Sequence, residues 1–271
     1  MKPAAFDYVA ADTVEEALSA LGDGDAKVLA GGQSLVPLLN MRLARPSLLV
    51  DVNRIAGLDR IEVDGSLRIG ALARQADVLC SPDAEAAVPL LAAALRHVGH
   101  PATRSRGTIG GSLAHADPAA ELPAVLLALD GEVVVVGGDR ERAIPADAFV
   151  TGPFTTALRP GELLSAVVFP RQGERGFGFA ELSRRHGDFA LVGAIVLLRP
   201  ARIVLFGLGG GPGRSLDAER ALDQGAPAAD VAELATRDLH PVEDVHADGD
   251  YRRRAAAVLV RRAIEQAAAS A

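Results

Sequence analysis

A chain of 271 residues is long enough for about two domains at roughly 100–200 residues each, and 49% hydrophobic with 23% charged content is the composition of a globular protein, not a disordered one. The 28 Lys+Arg against 35 Asp+Glu leave a net charge of −7, which disfavours a generic binder of nucleic acid or anionic membrane. The single cysteine, Cys80, excludes an intramolecular disulfide and any Cys-ligated iron–sulfur cluster or Cys-based zinc site held by this chain alone.

The opening stretch MKPAAFDYVAAD lacks the apolar stretch of a secretory leader. The longest clean apolar runs, such as Ala190–Leu198, are far short of the ~20 residues of a membrane span. A cytoplasmic protein with no membrane span is expected. Thr13-Val-Glu-Glu16 is a capping box, and Val14, Ala17, Leu18 and Leu21 share one face, which predicts a short helix stopped by Gly22 and Gly24. Lys27–Ala30 reads as a buried strand, Gly31-Gly32 as a turn, and Gln33–Leu43 as a helix with Pro37 in its first turn. Strands follow at Ser47–Val52 and Leu67–Gly70, the second after a turn at Asp64-Gly65. Residues 83–97 read as an Ala/Leu-rich helix with Pro89 opening its main part. From Pro101 to Pro118 no helical or strand period is visible, and so long an irregular segment in a compact domain points to function or disorder.

Helix resumes at Ala119–Leu129 and ends at Gly131; Glu132–Val136 and Gly161–Phe169 read as strands. The polar stretch Pro170–Gly176 reads as a linker. Beyond it, Phe177–Ser183, Ala190–Leu198 and Arg202–Leu208 predict three strands. The last two are antiparallel across the tight Arg199-Pro-Ala201 connection. Helical segments follow near 215–224, 228–238 and 249–268. The pattern is strand–helix alternation to about residue 170, then a small antiparallel sheet with a helical cluster: two α+β units.

Two segments carry candidate chemistry. Ala30-Gly-Gly-Gln-Ser-Leu35 lies between a strand and a helix, where a glycine pair lets successive N–H groups point into one concavity suited to phosphate. The same pattern is equally that of a plain strand-to-helix turn. Arg104-Ser-Arg-Gly-Thr-Ile-Gly-Gly-Ser112 repeats the chemistry with Thr108 and Ser112 hydroxyls, so the two segments could grip the two phosphates of one dinucleotide. Neither is a Walker A loop or a Gly-x-Gly-x-x-Gly fingerprint. His97 and His100 stand three residues apart without a partnering carboxylate or Cys, a poor metal site. Gly207–Gly213 reads as a strand-to-helix connection, the Arg252-Arg-Arg254 run with Arg261-Arg262 as a solvated helix face, and Cys80 as a buried small hydrophobe.

Three ordered motifs carry a resemblance that covers essentially the whole chain. Ala30–Leu35 followed by Asn40–Pro46 and Asp51, then Thr108–Ser112 running through Ala114–Pro123, then Arg185-His-Gly-Asp-Phe-Ala190, resemble the FAD-binding medium subunits of molybdenum hydroxylases. These belong to the xanthine dehydrogenase and aerobic carbon monoxide dehydrogenase family. The resemblance implies an α+β fold. A two-lobed FAD-binding domain of the PCMH/VAO type would occupy 1–170, with lobes at about 1–55 and 56–170. A C-terminal flavoprotein domain with a three-stranded antiparallel sheet and a helical cluster would occupy 176–271. It implies that Ala30, Gly31, Gly32, Gln33, Ser34, Leu35, Thr108, Ile109, Gly110, Gly111 and Ser112 hold the FAD pyrophosphate, largely through backbone N–H groups. Glu121, and less directly Asp117, would contact the cofactor. Phe189 would pack near the isoalloxazine, and Leu164 would line the flavin pocket. No acid–base catalytic residue and no metal ligand is expected here.

The same resemblance implies a large molybdopterin subunit and a small subunit with two [2Fe–2S] clusters, in a heterotrimer or a pair of heterotrimers. Electrons would pass through FAD to NAD⁺, a quinone or O₂. Gln33 stands where the carbon monoxide members carry His, which favours a heterocycle or an aldehyde as the substrate of the assembly. The competing expectations are a free-standing flavin oxidoreductase with a related FAD-binding domain, and a scaffold that has lost FAD.

Overall fold

The computed structural model describes residues 2–22, 25–138 and 140–271. The N-terminal lobe runs β1 (Asp7–Ala10), α1 (Val14–Leu21), β2 (Ala26–Leu29), α2 (Leu35–Asn40) and β3 (Leu48–Asp51). Thr13 Oγ1 accepts from the Glu16 N–H as the capping box requires, and Ala17 is buried under α1. Gly22 closes that helix by donating to Leu18 O and Ser19 O, while Gly24 lies outside the described residues. The sheet is parallel throughout, in the order β1-β3-β2. The segments that follow β2 and β3 therefore leave from the same edge, where parallel sheets place ligands. Helix α2 is shorter than the predicted Gln33–Leu43: residues 33 and 34 form a turn, and Arg42 at φ 58° prevents further winding.

The middle lobe holds β4 (Ile61–Asp64), β5 (Ser66–Gly70), α3 (Gln75–Leu79), α4 (Pro82–Ala87), α5 (Pro89–Leu95), α6 (Pro101–Arg104), α7 (Ile109–His115), α8 (Glu121–Ala128), β6 (Glu132–Gly137), β7 (Arg140–Pro145), α9 (Ala146–Phe149), β8 (Val150–Gly152), β9 (Thr155–Thr156) and β10 (Leu163–Pro170). Its main sheet, β4-β5-β10-β6-β7, is antiparallel at every pairing. Strand–helix alternation therefore stops at the end of the first lobe. The strands overlooked in the sequence are polar edge strands: β7, RERAIP, buries only Ile144. Leu67, Ile69, Val133, Val135, Val167 and Phe169 face one side and pack on the helices.

Two helical expectations change. The 83–97 helix is broken at Val88-Pro89 into α4 and α5, with Pro89 at the first helical position. The 101–118 segment contains α6 and α7. Gly110-Gly111 lowers helix propensity, but the Thr108 hydroxyl accepts from the Gly111 N–H while Ile109 and Leu113 are fully buried. Tertiary packing overrides propensity there.

The C-terminal unit comprises β11 (Phe177–Ser183), β12 (Ala190–Leu197), β13 (Arg202–Phe206), β14 (Gly213–Arg214), α10 (Leu216–Asp223), α11 (Ala228–Thr236) and α12 (Gly249–Ala269). The sheet has four strands rather than three, because the Gly-rich segment ends in β14, which pairs with β13. All of β12 is buried, since the sheet is covered on both faces. Ile195, Leu197, Val204 and Phe206 pack toward the middle lobe, whereas Val192, Ala194, Val196, Ile203 and Leu205 pack on α10–α12. Helix α8 packs against the C-terminal sheet and α5, and all eight of its residues are buried, as its apolar residues on every side require; Glu121 is its one charged residue. The Pro170–Gly176 stretch is docked to the middle lobe: Gln172 donates to Ala87 O, and its side-chain oxygen accepts from Leu90 N–H.

Two surface expectations are corrected. Cys80 is exposed, because it terminates the short helix α3 at the surface. Arg252 is buried on α12 and paired with Asp244, while Arg254, Arg261 and Arg262 are exposed. No helix among the described residues is long and apolar enough to cross a membrane.

Candidate cofactor site

The two glycine segments meet. A Cβ on Gly31 would lie 2.3 Å from Arg106 O and 3.0 Å from Gly107 Cα, and one on Gly111 would lie 3.9 Å from Ala30 Cβ. Gly32 takes φ +72°, a conformation cheap only for glycine. The segment before Thr108 is held against the N-terminal lobe by Arg74. Its Nη1 donates to Arg106 O (2.6 Å) and its Nη2 to Asn53 Oδ1 (2.7 Å). Asn53 Nδ2 in turn donates to Ala30 O at 2.9 Å. Asn53, Arg74 and Arg106 escaped the sequence reading. Arg106 lay inside a noted motif, but the other two carry no local signal.

A cleft of about 390 Å³ opens at this junction, lined by Ala30, Gly31, Gly32, Gln33, Asp51 and Arg106 among others. The two glycine segments differ chemically. Among the described residues, no protein acceptor meets the N–H groups of Gly31, Gly32, Gln33 or Ser34. In the second segment, Ile109 N–H donates to Ala73 O, Gly110 N–H to Ala71 O, Gly111 N–H to Thr108 Oγ1 and Ser112 N–H to Thr108 O. The first segment thus leaves its backbone donors free beside the cleft, whereas the second, which reaches the cleft lining only at Arg106, has its donors satisfied. The donor-lined cradle, with no room for a Cβ at Gly31, fits a phosphate-bearing cofactor.

The remaining candidates are spread further. Gln33 is exposed, and Ser34 and Leu35 are half-buried at the start of α2, where the Ser34 hydroxyl makes no capping bond. Ile109 and Leu164 are core residues. Asp117 Oδ1 accepts from Ala119 N–H, a local turn. Phe189 is 64% exposed, on the 184–189 segment that packs against Gly99 and His100.

Glu121, the first residue of α8, is buried. Burial pushes its carboxyl up to about 7; its own backbone N–H opposes the shift and Asp117 adds to it. The Glu181 side chain on β11 is also buried, and desolvation, followed by the charge of Glu121, pushes it up to about 8. His97 Nδ1 lies 3.9 Å from Glu181 Oε1, too far for a hydrogen bond. Burial, aided by His186, lowers the His97 pKa, so near neutrality this is a contact of two uncharged groups rather than an ion pair. His97 also stacks on Phe179 at 4.8 Å.

The folded state binds protons that a Glu at the usual 4.5 would have lost. Stability is therefore undiminished below about pH 4.5 and falls as pH rises through 8. The melting temperature of Glu181→Gln should accordingly rise relative to the parent chain between pH 5 and 9, by a few degrees at the alkaline end. Parallel melting curves across that range would show Glu181 to be an ordinary carboxylate.

Among the described residues no group of three or more His, Cys, Asp and Glu is placed to hold a metal. A second cavity of about 460 Å³ lies under the Gly-rich connection, lined by Leu205, Leu208, Leu216 and Leu234. Its Arg214 is already paired with Glu219 at 2.6 Å.

The chain is similar to known proteins over nearly its whole length. A family model described as the FAD binding domain in molybdopterin dehydrogenase matches residues 4–172, and one described as the CO dehydrogenase flavoprotein C-terminal domain matches residues 177–267. The alpha subunit of the 6-hydroxypseudooxynicotine dehydrogenase complex of Paenarthrobacter nicotinovorans is 46% identical over 98% of this chain and 96% of its own. The nicotine 6-hydroxylase medium subunit of the same organism is 39% identical over 99% of each. The structure of carbon monoxide dehydrogenase from Hydrogenophaga pseudoflava, lacking its Mo-pyranopterin moiety, contains a chain that superposes with a TM-score of 0.96 at 36% identity, covering 100% of this chain and 99% of that one. The chain belongs to the FAD-binding medium subunits of the molybdopterin dehydrogenases, the xanthine and carbon monoxide dehydrogenase family of oxidoreductases.

Proposed function

We propose that this chain is the electron-output subunit of a molybdenum hydroxylase, with FAD held in the cleft between the two glycine segments. Bound FAD would supply the redox chemistry, taking electrons from the [2Fe–2S] clusters of a small partner subunit and passing them to NAD⁺, a quinone or O₂. The residues of this chain bind, orient and exclude. The N–H groups of Gly31 to Ser34 would take the pyrophosphate, and the Thr108–Ser112 segment would fix its position. Glu121, which burial keeps largely protonated up to about pH 7, would hold a proton at its carboxyl beside the cofactor. Phe189 would cover the ring system, and Leu164 and Ile109 would exclude water behind it.

Residues 1–170 would form the FAD-binding part, in lobes at about 1–55 and 56–170, with residues 176–271 as the second domain. A large molybdopterin subunit would carry the substrate site, in a heterotrimer or a pair of them in the cytoplasm. The names of the two relatives from Paenarthrobacter, together with Gln33, support an N-heterocycle as substrate of the assembly.

The observation that carries this reading is the meeting of Gly31 with Arg106 across a cleft whose donors are free on one side. Purification of the chain from its host tests it. The eluate should absorb at about 450 nm, release FAD on denaturation, and contain larger and smaller partners with molybdenum and iron. FAD with no partner and no metal would instead indicate a free-standing flavoprotein.

A further inference from the structure

The cleft contains an arginine with nothing to balance it. Arg106 lines the cleft beside the free donors of the first glycine segment, and among the described residues its guanidinium has no hydrogen-bond or carboxylate partner. Its backbone is fixed twice, by the Arg74 bond to its carbonyl and by the contact of that carbonyl with Gly31. The side chain therefore leaves a fixed point at the cleft mouth. Arg74 stands behind it, and burial and the nearby Arg106 charge both lower the Arg74 pKa. Asp77, Asp51 and Asp59 offset the Arg74 charge in part, but among the described residues none of them pairs with either guanidinium.

The one acid lining the cleft, Asp51, is already engaged: Oδ2 accepts from the Tyr8 hydroxyl at 2.6 Å, and Oδ1 from Asn53 N–H at 2.9 Å and Nδ2 at 2.6 Å. An arginine with no partner of its own, beside unsatisfied backbone donors, is a site for an anion with more than one charge. Resting on the reading that FAD occupies this cleft, we infer that Arg106 is the counter-charge for the FAD diphosphate, and that Arg74 positions it there.

Flavin-fluorescence titration of the deflavinated full chain tests this, with FAD and riboflavin as probes. Arg106→Gln should weaken FAD by roughly tenfold to a hundredfold, the effect of losing one charge-assisted hydrogen bond. It should leave riboflavin, which has no phosphate, unchanged, and it should flatten the salt dependence of FAD binding. Arg106→Lys should recover part of the loss, because it keeps the charge without the fork. Arg254→Gln, on the exposed face of α12, serves as the control. Unchanged FAD affinity in Arg106→Gln would overturn the inference and leave the FAD reading standing. Parallel weakening of FAD and riboflavin would reduce Arg106 to a residue that shapes the cleft. A parent chain that binds neither flavin would remove both the inference and the reading beneath it.

Discussion

A Gly31→Val chain is expected to purify folded and without flavin. The new Cβ would lie 2.3 Å from Arg106 O, well inside contact distance, and the carbonyl cannot retreat. Arg74 Nη1 holds it at 2.6 Å. Behind it, Gly107 is so close to Gln75 that even a Cβ would lie 2.5 Å from Gln75 Oε1. The first glycine segment must move instead, turning the N–H groups of residues 31–34 away from the ligand. Overpacking of this kind costs about 1–3 kcal/mol, which a chain with three separate buried clusters survives. The binding loss is larger, since several hydrogen bonds to a charged group at about 1.5–3 kcal/mol each are misplaced together. FAD content should fall by more than about a hundredfold, read as flavin absorbance per protein, while circular dichroism stays that of the parent. Parent-like flavin content with an unchanged melting temperature would mean that the cleft does not hold the pyrophosphate. Gly32→Val should behave alike, because a β-branched residue at φ +72° is strained.

Arg252→Ala is expected to be the most destabilising change on α12. Nη1 donates to Leu191 O at 2.5 Å and Gly207 O at 3.0 Å, and Nη2 meets Asp244 Oδ2 at 2.6 Å. One buried side chain thus ties the start of β12, the end of β13 and the segment before α12 together. Truncation leaves two carbonyls and a carboxylate without their donor. Leaving two buried carbonyls without their donor costs about 1–3 kcal/mol each, while the Asp244 carboxylate, 42% exposed, adds little; the melting temperature should fall by roughly 10 °C in a chain of this size. Arg254→Ala, two residues on and exposed, should stay within about 0.5 kcal/mol. Melting curves of the two variants decide the point. Equal curves would mean that solvent satisfies the three orphaned acceptors.

These two residues mark where sequence reading succeeds and where it stops. Gly31 was legible as a candidate because a glycine pair between a strand and a helix is a local signature. So were the Thr13 cap, the apolar run of β12 and the helices after residue 215. Arg252 was read as solvated, since a run of three arginines carries no information about which one points inward. Strand β7 and helix α7 were missed for related reasons. The first is a polar edge strand. In the second, two glycines mask a helix that a cap and the buried Ile109 and Leu113 enforce.

The sequence by itself determined the class of the fold, the two glycine segments and, through their order, the family resemblance. Each of these rests on neighbours along the chain: caps, turn residues, periodicity. Only the tertiary structure decided that the two segments touch at Gly31 and Arg106, and that the first offers free N–H groups while those of the second are satisfied. It alone placed Asn53 and Arg74 as the clamp between them, and Glu121 and Glu181 where burial holds their protons. Those properties arise from groups far apart in the chain, and the backbone paths that bring them together are set by how the sheets and helices pack, which no local pattern encodes.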